Sequence, residues 1–164
     1  MKSLFICRSK FHTSVEKLFL FHAKPEGFQK LVEAMPGVQV TQKPNSLEVG
    51  QIAILKVPVL PGIRMTWTAE HTVYRKNEEF ADIQKKGPFT YFYHRHIFYP
   101  DTDKNSDASI LEDRIELEAP FSWISNFFVG FILKKQFLKR HRITASALNI
   151  GFTPLENGIV KYNL

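Results

Sequence analysis

Two histidines and two aspartates are the residues of this chain best suited to chemistry. His94 and His96 stand two positions apart in an aromatic-rich segment, residues 89–99. In an extended chain alternate side chains project to the same side, so both imidazoles would face one way. Asp82 lies in the preceding segment of this kind and Asp113 in the following one. A carboxylate beside an imidazole favours its charged form, while burial works the other way. Such a pair can serve as general acid and base. An H-x-H pair on a strand can also begin a metal site, and the same groups can simply satisfy one another inside a sheet or hold a water or a ligand oxygen. Ser122 and Cys7 have no nucleophile motif around them, and neither a phosphate loop nor a dinucleotide fingerprint is present. No cofactor and no metal is expected.

The elements that must position these groups follow from periodicity. Residues 4–11 form a short apolar strand. Thr13 and Ser14 offer capping oxygens before a helix in which Val15, Leu18, Phe19 and His22 recur at helical spacing, and Pro25 opens a second short helix over 26–34. From residue 38 to 119 the pattern turns to strands, predicted at 38–42, 52–59, 64–74, 80–84, 89–99 and 110–119. Residues 64–74 show the clearest alternation, with Met65, Trp67, Ala69, His71 and Val73 on one side. Closely spaced turns between these segments predict an antiparallel meander. Pro120 opens a last, long helix running to about residue 147, with Phe121, Ile124, Phe127, Phe128, Phe131 and Ile132 at helical spacing. Its apolar half is too short for a transmembrane span, which needs about 20 residues. The expectation is an α+β domain over residues 1–150, a curved seven-stranded antiparallel sheet wrapped around the long C-terminal helix, followed by a tail over 151–164.

Composition narrows the class. The chain has 164 residues, enough for one domain, with 44% hydrophobic and 23% charged residues. Fifteen Phe, five Tyr and two Trp supply rings that can fill a core or line a ligand pocket. A single cysteine excludes an intrachain disulfide, and Cys7 sits in an apolar run as a small hydrophobe. Arg8 and Lys10 interrupt the N-terminal apolar stretch too early for a signal peptide, so a cytoplasmic protein is expected. The net charge of +6 is concentrated in the segment from Lys134 to Arg142. No nucleic-acid motif surrounds it and no nucleic-acid partner is expected. It reads as a solvated basic end of the last helix, with peripheral contact to an anionic membrane as a further reading. The oligomeric state is not legible.

The stretch Phe80-Ala81-Asp82-Ile83-Gln84-Lys85-Lys86-Gly87-Pro88-Phe89 resembles an F-x-D-x-Q-x-x-G-P-F signature, and His94-Arg95-His96-Ile97-Phe98 follows it like H-x-H-x-F. With Phe21-His22, Trp67, Asp113 and Pro120-Phe121 in the same order, the chain is similar to the SRPBCC, or START-like, helix-grip superfamily, in particular its cyclase/dehydrase-type ligand-binding proteins. The ordered matches span roughly residues 11–145. One departure is Phe92, where such relatives often carry Trp.

The resemblance implies a helix-grip fold with a cavity between sheet and long helix. Members of the superfamily carry lipids, sterols, quinones, plant hormones or polyketides; some are cyclases or dehydratases, and relatives occur fused to nucleotide-sugar-epimerase-like domains. It also implies that the even-numbered face of 89–99 is the inner one. If Phe98 then pairs with Leu111, His96 faces Asp113 and His94 faces Ile115, with Asp82 and His71 close by. The expected ligand-binding residues are Trp67, Phe80, Asp82, Phe92, His94, His96 and Phe98 from the sheet and Phe121, Ile124, Phe128 and Phe131 from the helix. His94, His96 and Asp113 are the candidate catalytic groups. The leading expectation is binding of a hydrophobic small molecule, a lipid, quinone or polyketide-like compound. The alternatives are a cyclase or dehydratase and a membrane-surface lipid carrier.

Overall fold

Strand β1 (Ser3–Phe11) is buried along most of its length, with Phe5, Cys7 and Phe11 fully inaccessible. In the computed structural model, which describes residues 2–102, 107–120 and 122–160 without the side chains of 122–127, this strand is interior because it is flanked on both edges. Two short helices follow it, α1 (Val15–Ala23) and α2 (Pro25–Glu33). Ser14 caps α1, its Oγ accepting from the Lys17 N–H at 3.4 Å, and Pro25 occupies the first turn of α2, where its missing N–H has no intrahelical role. The meander then runs β2 (Gln39–Gln42), β3 (Ile52–Leu60), β4 (Ile63–Arg75), β5 (Glu79–Lys86), β6 (Tyr91–Pro100) and β7 (Ser109–Glu118). Helix α3 (Ser122–Leu148) and strand β8 (Phe152–Val160) complete the chain. No helix among the described residues is long and apolar enough to cross a membrane.

All strand pairs are antiparallel, in the order β2-β3-β4-β5-β6-β7-β1-β8. The expected curved seven-stranded sheet closed around the long helix is therefore corrected: the sheet has eight strands, is open, and ends in β2 and β8. Residues 152–160, read as part of a tail, supply the additional strand. Their Pro154, Asn157 and Gly158 have the composition of a turn, but an edge strand tolerates proline because only one of its sides needs donors. The pairing of β8 with β1 shifts register between Arg8 and Ser9, where Ser9 lies opposite Pro154.

Helix α3 packs over β1, β7 and β8. Leu133, Phe137, His141, Thr144 and Ala145 form its buried face. This face is offset from the apolar positions that the sequence pattern favoured. Two apolar clusters result. One gathers Phe5, Cys7, Phe92, Ile115 and Leu117 beneath Leu133 and Phe137; the other gathers Phe11, Leu18, Phe19, Phe80, Phe98 and Leu111 beneath Ala145. Helix α3 leaves the inner face of β3–β6 partly uncovered, and there the molecule is hollow.

Candidate functional site

Strand β6 positions the site. Its burial alternates strictly, with Phe92, His94, His96 and Phe98 inside. The register with β7 places Phe98 opposite Leu111, His96 opposite Asp113 and His94 opposite Ile115. On the other side Asp82 lies opposite His94 and Phe80 opposite His96, while His71 of β4 lies opposite Asp82. The turn between β5 and β6 is held by one side chain. The Gln84 amide donates to the Phe89 carbonyl at 2.7 Å and accepts from the Phe89 N–H at 3.4 Å. A Cβ on Gly87 would stand 2.2 Å from the Gln84 Oε1, so a larger residue there would push the Gln84 amide away from its two bonds to Phe89. The Q-x-x-G-P-F motif is thus a clamp that sets how β5 and β6 present their inner faces.

Asp113 is the centre of the polar group. It is 1% exposed, and three imidazoles surround it. The His94 Nε2–H donates to Asp113 Oδ1 at 2.8 Å and the His141 Nε2–H donates to Oδ2 at 2.7 Å. His96 Nδ1 is also 2.8 Å from Oδ1 but is misaligned for a hydrogen bond. Behind His141, Ser9 Oγ–H donates to Nδ1 at 2.8 Å, with Cys7 Sγ 3.7 Å away. On the other side of the two β6 imidazoles stands Asp82, whose Oδ2 is 3.8 Å from His94 Nδ1 and 3.6 Å from His96 Nε2. Rings pack around this group: Phe80 stacks on His96 at 4.0 Å between centroids, and Phe137 meets His94 edge-on at 5.1 Å.

The electrostatics are divided among the members. Burial, aided by the neighbouring His96, lowers His94 to about 4. Burial also opposes a charge on His96, but the two carboxylates beside it, Asp113 and Asp82, outweigh it and raise the group. Burial would raise Asp113, yet the hydrogen bonds from His141 and His94 and the close His96 imidazole hold it well below the ordinary carboxylate range. Asp82 is lowered in the same way, burial being outweighed first by His96. The group therefore keeps both carboxylates ionised, with His96 the favoured seat of a proton. Burial and Asp113 push the Cys7 thiol far up, in keeping with an inert core residue.

A cavity of ≈ 460 Å³ opens beside the group. Its walls come from β3–β6, from α2 through Phe28, Leu31 and Val32, and from α3 through Leu133, Gln136, Phe137 and Arg140. Trp67, Phe80, Asp82, Phe92, His94 and His96, all expected at a pocket, line it, and His22 and His71 line it as well. Trp67 meets Phe92 edge-on at 4.8 Å and Phe89 at 5.6 Å. Asp113 stands behind the lining. Phe98 is elsewhere: it is buried against Phe19 and His22, outside the cavity wall. Phe128 and Phe131 are 62% and 56% exposed and do not line it either. Phe121 and the side chain of Ile124 lie outside the described residues.

Sequence reasoning missed His141 and Arg140, which it assigned to a solvated basic segment. The signal was the spacing Leu133, Phe137, His141, four residues apart on one helix face. It also missed the contribution of α2.

No family model matches the sequence, and no curated protein matches it significantly. Solved structures do match. Norcoclaurine synthase from Thalictrum flavum, in complex with dopamine and hydroxybenzaldehyde, aligns with a TM-score of 0.64 at 12% identity, over 91% of this chain and 88% of that one. The di-domain ARO/CYC protein StfQ of steffimycin biosynthesis gives 0.65 at 12%, over 89% of this chain and 50% of that one. The fold is helix-grip-like. This helix-grip-like chain also matches a nucleoside-diphosphate sugar epimerase from Corynebacterium glutamicum, with a TM-score of 0.67 at 15% identity, over 88% of this chain but only 29% of the longer protein. At these identities the likeness concerns the fold.

Proposed function

We propose that the protein is an enzyme that encloses an apolar, ring-bearing small molecule and moves protons at a polar group on it, in a cyclase- or dehydratase-type reaction. The observation that carries this reading is that His94 and His96 line an aromatic-walled cavity while Asp113, held behind them, fixes how they are presented. A carboxylate behind an imidazole sets its tautomer and stabilises the imidazolium that forms when it accepts a proton. His94 and His96 are the acid/base groups and Asp113 their positioning residue. Trp67, Phe80 and Phe92 supply flat apolar surface for a ring. The ligands named for the Thalictrum structure, both small aromatic molecules, and the ARO/CYC description of StfQ support the substrate class.

The test is native mass spectrometry with identification of co-purifying compounds, then turnover of the identified or closest aromatic polyketide-like compound by wild type and His94→Ala. Loss of turnover with retained binding and fold supports the enzyme. Equal turnover by His94→Ala removes it. Stoichiometric binding of a lipid or quinone with no conversion favours a carrier instead. For such a carrier, the exposed Phe131 and Ile132 beside Lys134 and Lys135 favour docking on an anionic membrane. Co-sedimentation with anionic but not neutral vesicles checks that docking.

A further inference from the structure

We infer that Asp82, His94 and His96 form a site for one first-row divalent cation, with Asp113 as the outer carboxylate that orients both imidazoles. One donor atom from each of the three residues can be chosen so that all lie within 4.8 Å of one another. Asp82 Oδ2 is 3.8 Å from His94 Nδ1 and 3.6 Å from His96 Nε2. Zinc bonds of about 2.0–2.2 Å in a tetrahedron place ligands roughly 3.3–3.6 Å apart; the two Asp82 edges already fit, and seating the ion needs the two imidazole nitrogens to approach each other by about 1 Å.

The direction of the hydrogen bonds carries the inference further than proximity does. His94 gives its Nε2–H to Asp113, which leaves Nδ1 with its lone pair on the Asp82 side. His96 turns Nδ1 to the same Asp113 oxygen and Nε2 to Asp82. With His96 neutral and its proton on Nδ1, three electron-rich atoms face one another within 4.8 Å, an arrangement that repels itself unless a metal ion or a further proton on His96 sits among them. Histidine ligands of metals characteristically hold a carboxylate at the other ring nitrogen. Here one buried carboxylate serves two histidines, and His141 anchors it from behind at 2.7 Å. Charge also balances: one dication offsets Asp82 and Asp113.

The donors are two imidazole nitrogens and one carboxylate oxygen, a set suited to zinc and its first-row neighbours rather than to magnesium or calcium. They sit on adjacent, hydrogen-bonded strands, which hold the three side chains together on one face. Three protein ligands leave a position for water or a ligand oxygen, and all three residues line the cavity. With a cation bound, the imidazoles are ligands and the proton-handling group facing the cavity is water on the ion. Only that last point rests on the proton-transfer reading above; the cation would bind whatever the cavity holds. In the sequence H-x-H only begins a metal site, and the pairing of β5 with β6 brings Asp82 to it as the third ligand.

The rival occupant of the point is a proton on His96 shared toward Asp82. Untagged, chelator-treated protein titrated with Zn²⁺ against a chromophoric competitor, and with Co²⁺ followed by its visible absorption, separates the two. Expected are one zinc per chain, a cobalt spectrum of low coordination number, and a raised melting temperature. Asp82→Asn, which keeps the side chain's shape, should weaken binding by about 100-fold or more, and Asp113→Asn by about 10–100-fold, the usual effect of losing an outer-shell partner. If Asp113→Asn does not fold, Asp82→Asn decides. Folded wild type that takes up no zinc, or Asp82→Asn that binds it as wild type does, overturns the site. Zinc bound without turnover would leave the cation standing and remove the enzyme reading. Turnover unaffected by chelation in a protein that binds no zinc would do the reverse.

Discussion

Two carboxylates are almost equally buried in this sheet, and they are neutralised in opposite ways. Glu79, 2% exposed on β5, accepts from Arg95 Nε at 2.5 Å and from the Arg75 guanidinium. Asp113, 1% exposed on β7, is surrounded by His94, His96 and His141. A guanidinium is charged at every physiological pH, so the Glu79 group has one protonation state. Imidazoles are not, and the Asp113 group can gain or lose a proton or exchange it for another cation. The first arrangement suits a structural tie; the second suits a site. Their locations agree, since Glu79 pairs opposite Ile97 on the face of β6 turned away from the cavity.

The sharpest way to break this comparison is Asp113→Ala. It strands three buried imidazoles, and it should lower stability by about 3–5 kcal/mol, as removal of one partner from a buried ionic group does. Urea unfolding measures it; a loss below about 1 kcal/mol would mean that the imidazoles find other partners and that Asp113 organises nothing. Glu79→Gln should cost less, about 1–3 kcal/mol, because Arg75 is 58% and Arg95 30% exposed and both can turn to water. An equal or larger loss there would erase the distinction between tie and site.

A third case is His22, a buried imidazole whose Nδ1–H donates to the neutral Leu18 carbonyl at 2.9 Å. Burial lowers it from 6.5 to about 3. Between those values the unfolded chain binds the proton and the folded one does not, so stability falls as pH falls from about 6.5 toward 3. His22→Gln should flatten that slope in urea midpoints taken across pH; an unchanged slope would show that His22 keeps a proton in the fold. The smallest effect belongs to Glu156, 3.4 Å from Arg8 and 38% exposed. Glu156→Gln should change stability by less than about 1 kcal/mol, and added salt should remove the difference.

Much of the fold was legible because its strands obey simple period-two rules. The alternation of β6 follows from period two, but both its faces are aromatic, and it was the family resemblance that implied the even face as the inner one; with the pairing of Phe98 and Leu111 added, Asp82, His94, His96 and Asp113 come together. What could not be read was set by long-range backbone pairing or by helix phase. Residues 152–160 carry no strand-like alternation, and only the free edge of β1 makes them a strand. In α3 the run of phenylalanines before residue 133 outweighed the sparser Leu133-Phe137-His141 stripe, so the apolar positions chosen included the exposed Phe128 and Phe131. Hydrophobicity marks where apolar residues are dense, not which side of a helix another element will cover. The cavity was expected only through family resemblance, since composition does not distinguish rings that fill a core from rings that line a void.

The central place of β1 has a consequence for how the molecule comes into being. This strand, which precedes the other seven in chain order, is hydrogen-bonded to residues 109–117 on one edge and to residues 152–160 on the other. The polar group likewise draws Ser9 from the start of the chain, His94, His96 and Asp113 from its middle and His141 from near its end. On a ribosome, Leu4 to Cys7 must wait for residues 109–117 to cover one edge and, later still, for residues 152–160 to cover the other. Folding dominated by such distant pairings is slow, and it exposes an apolar strand to aggregation in the interval. Asp82, His94, His96 and Asp113 meet through successive strand pairs, and Ser9 and His141 complete the group only when the distant segments dock.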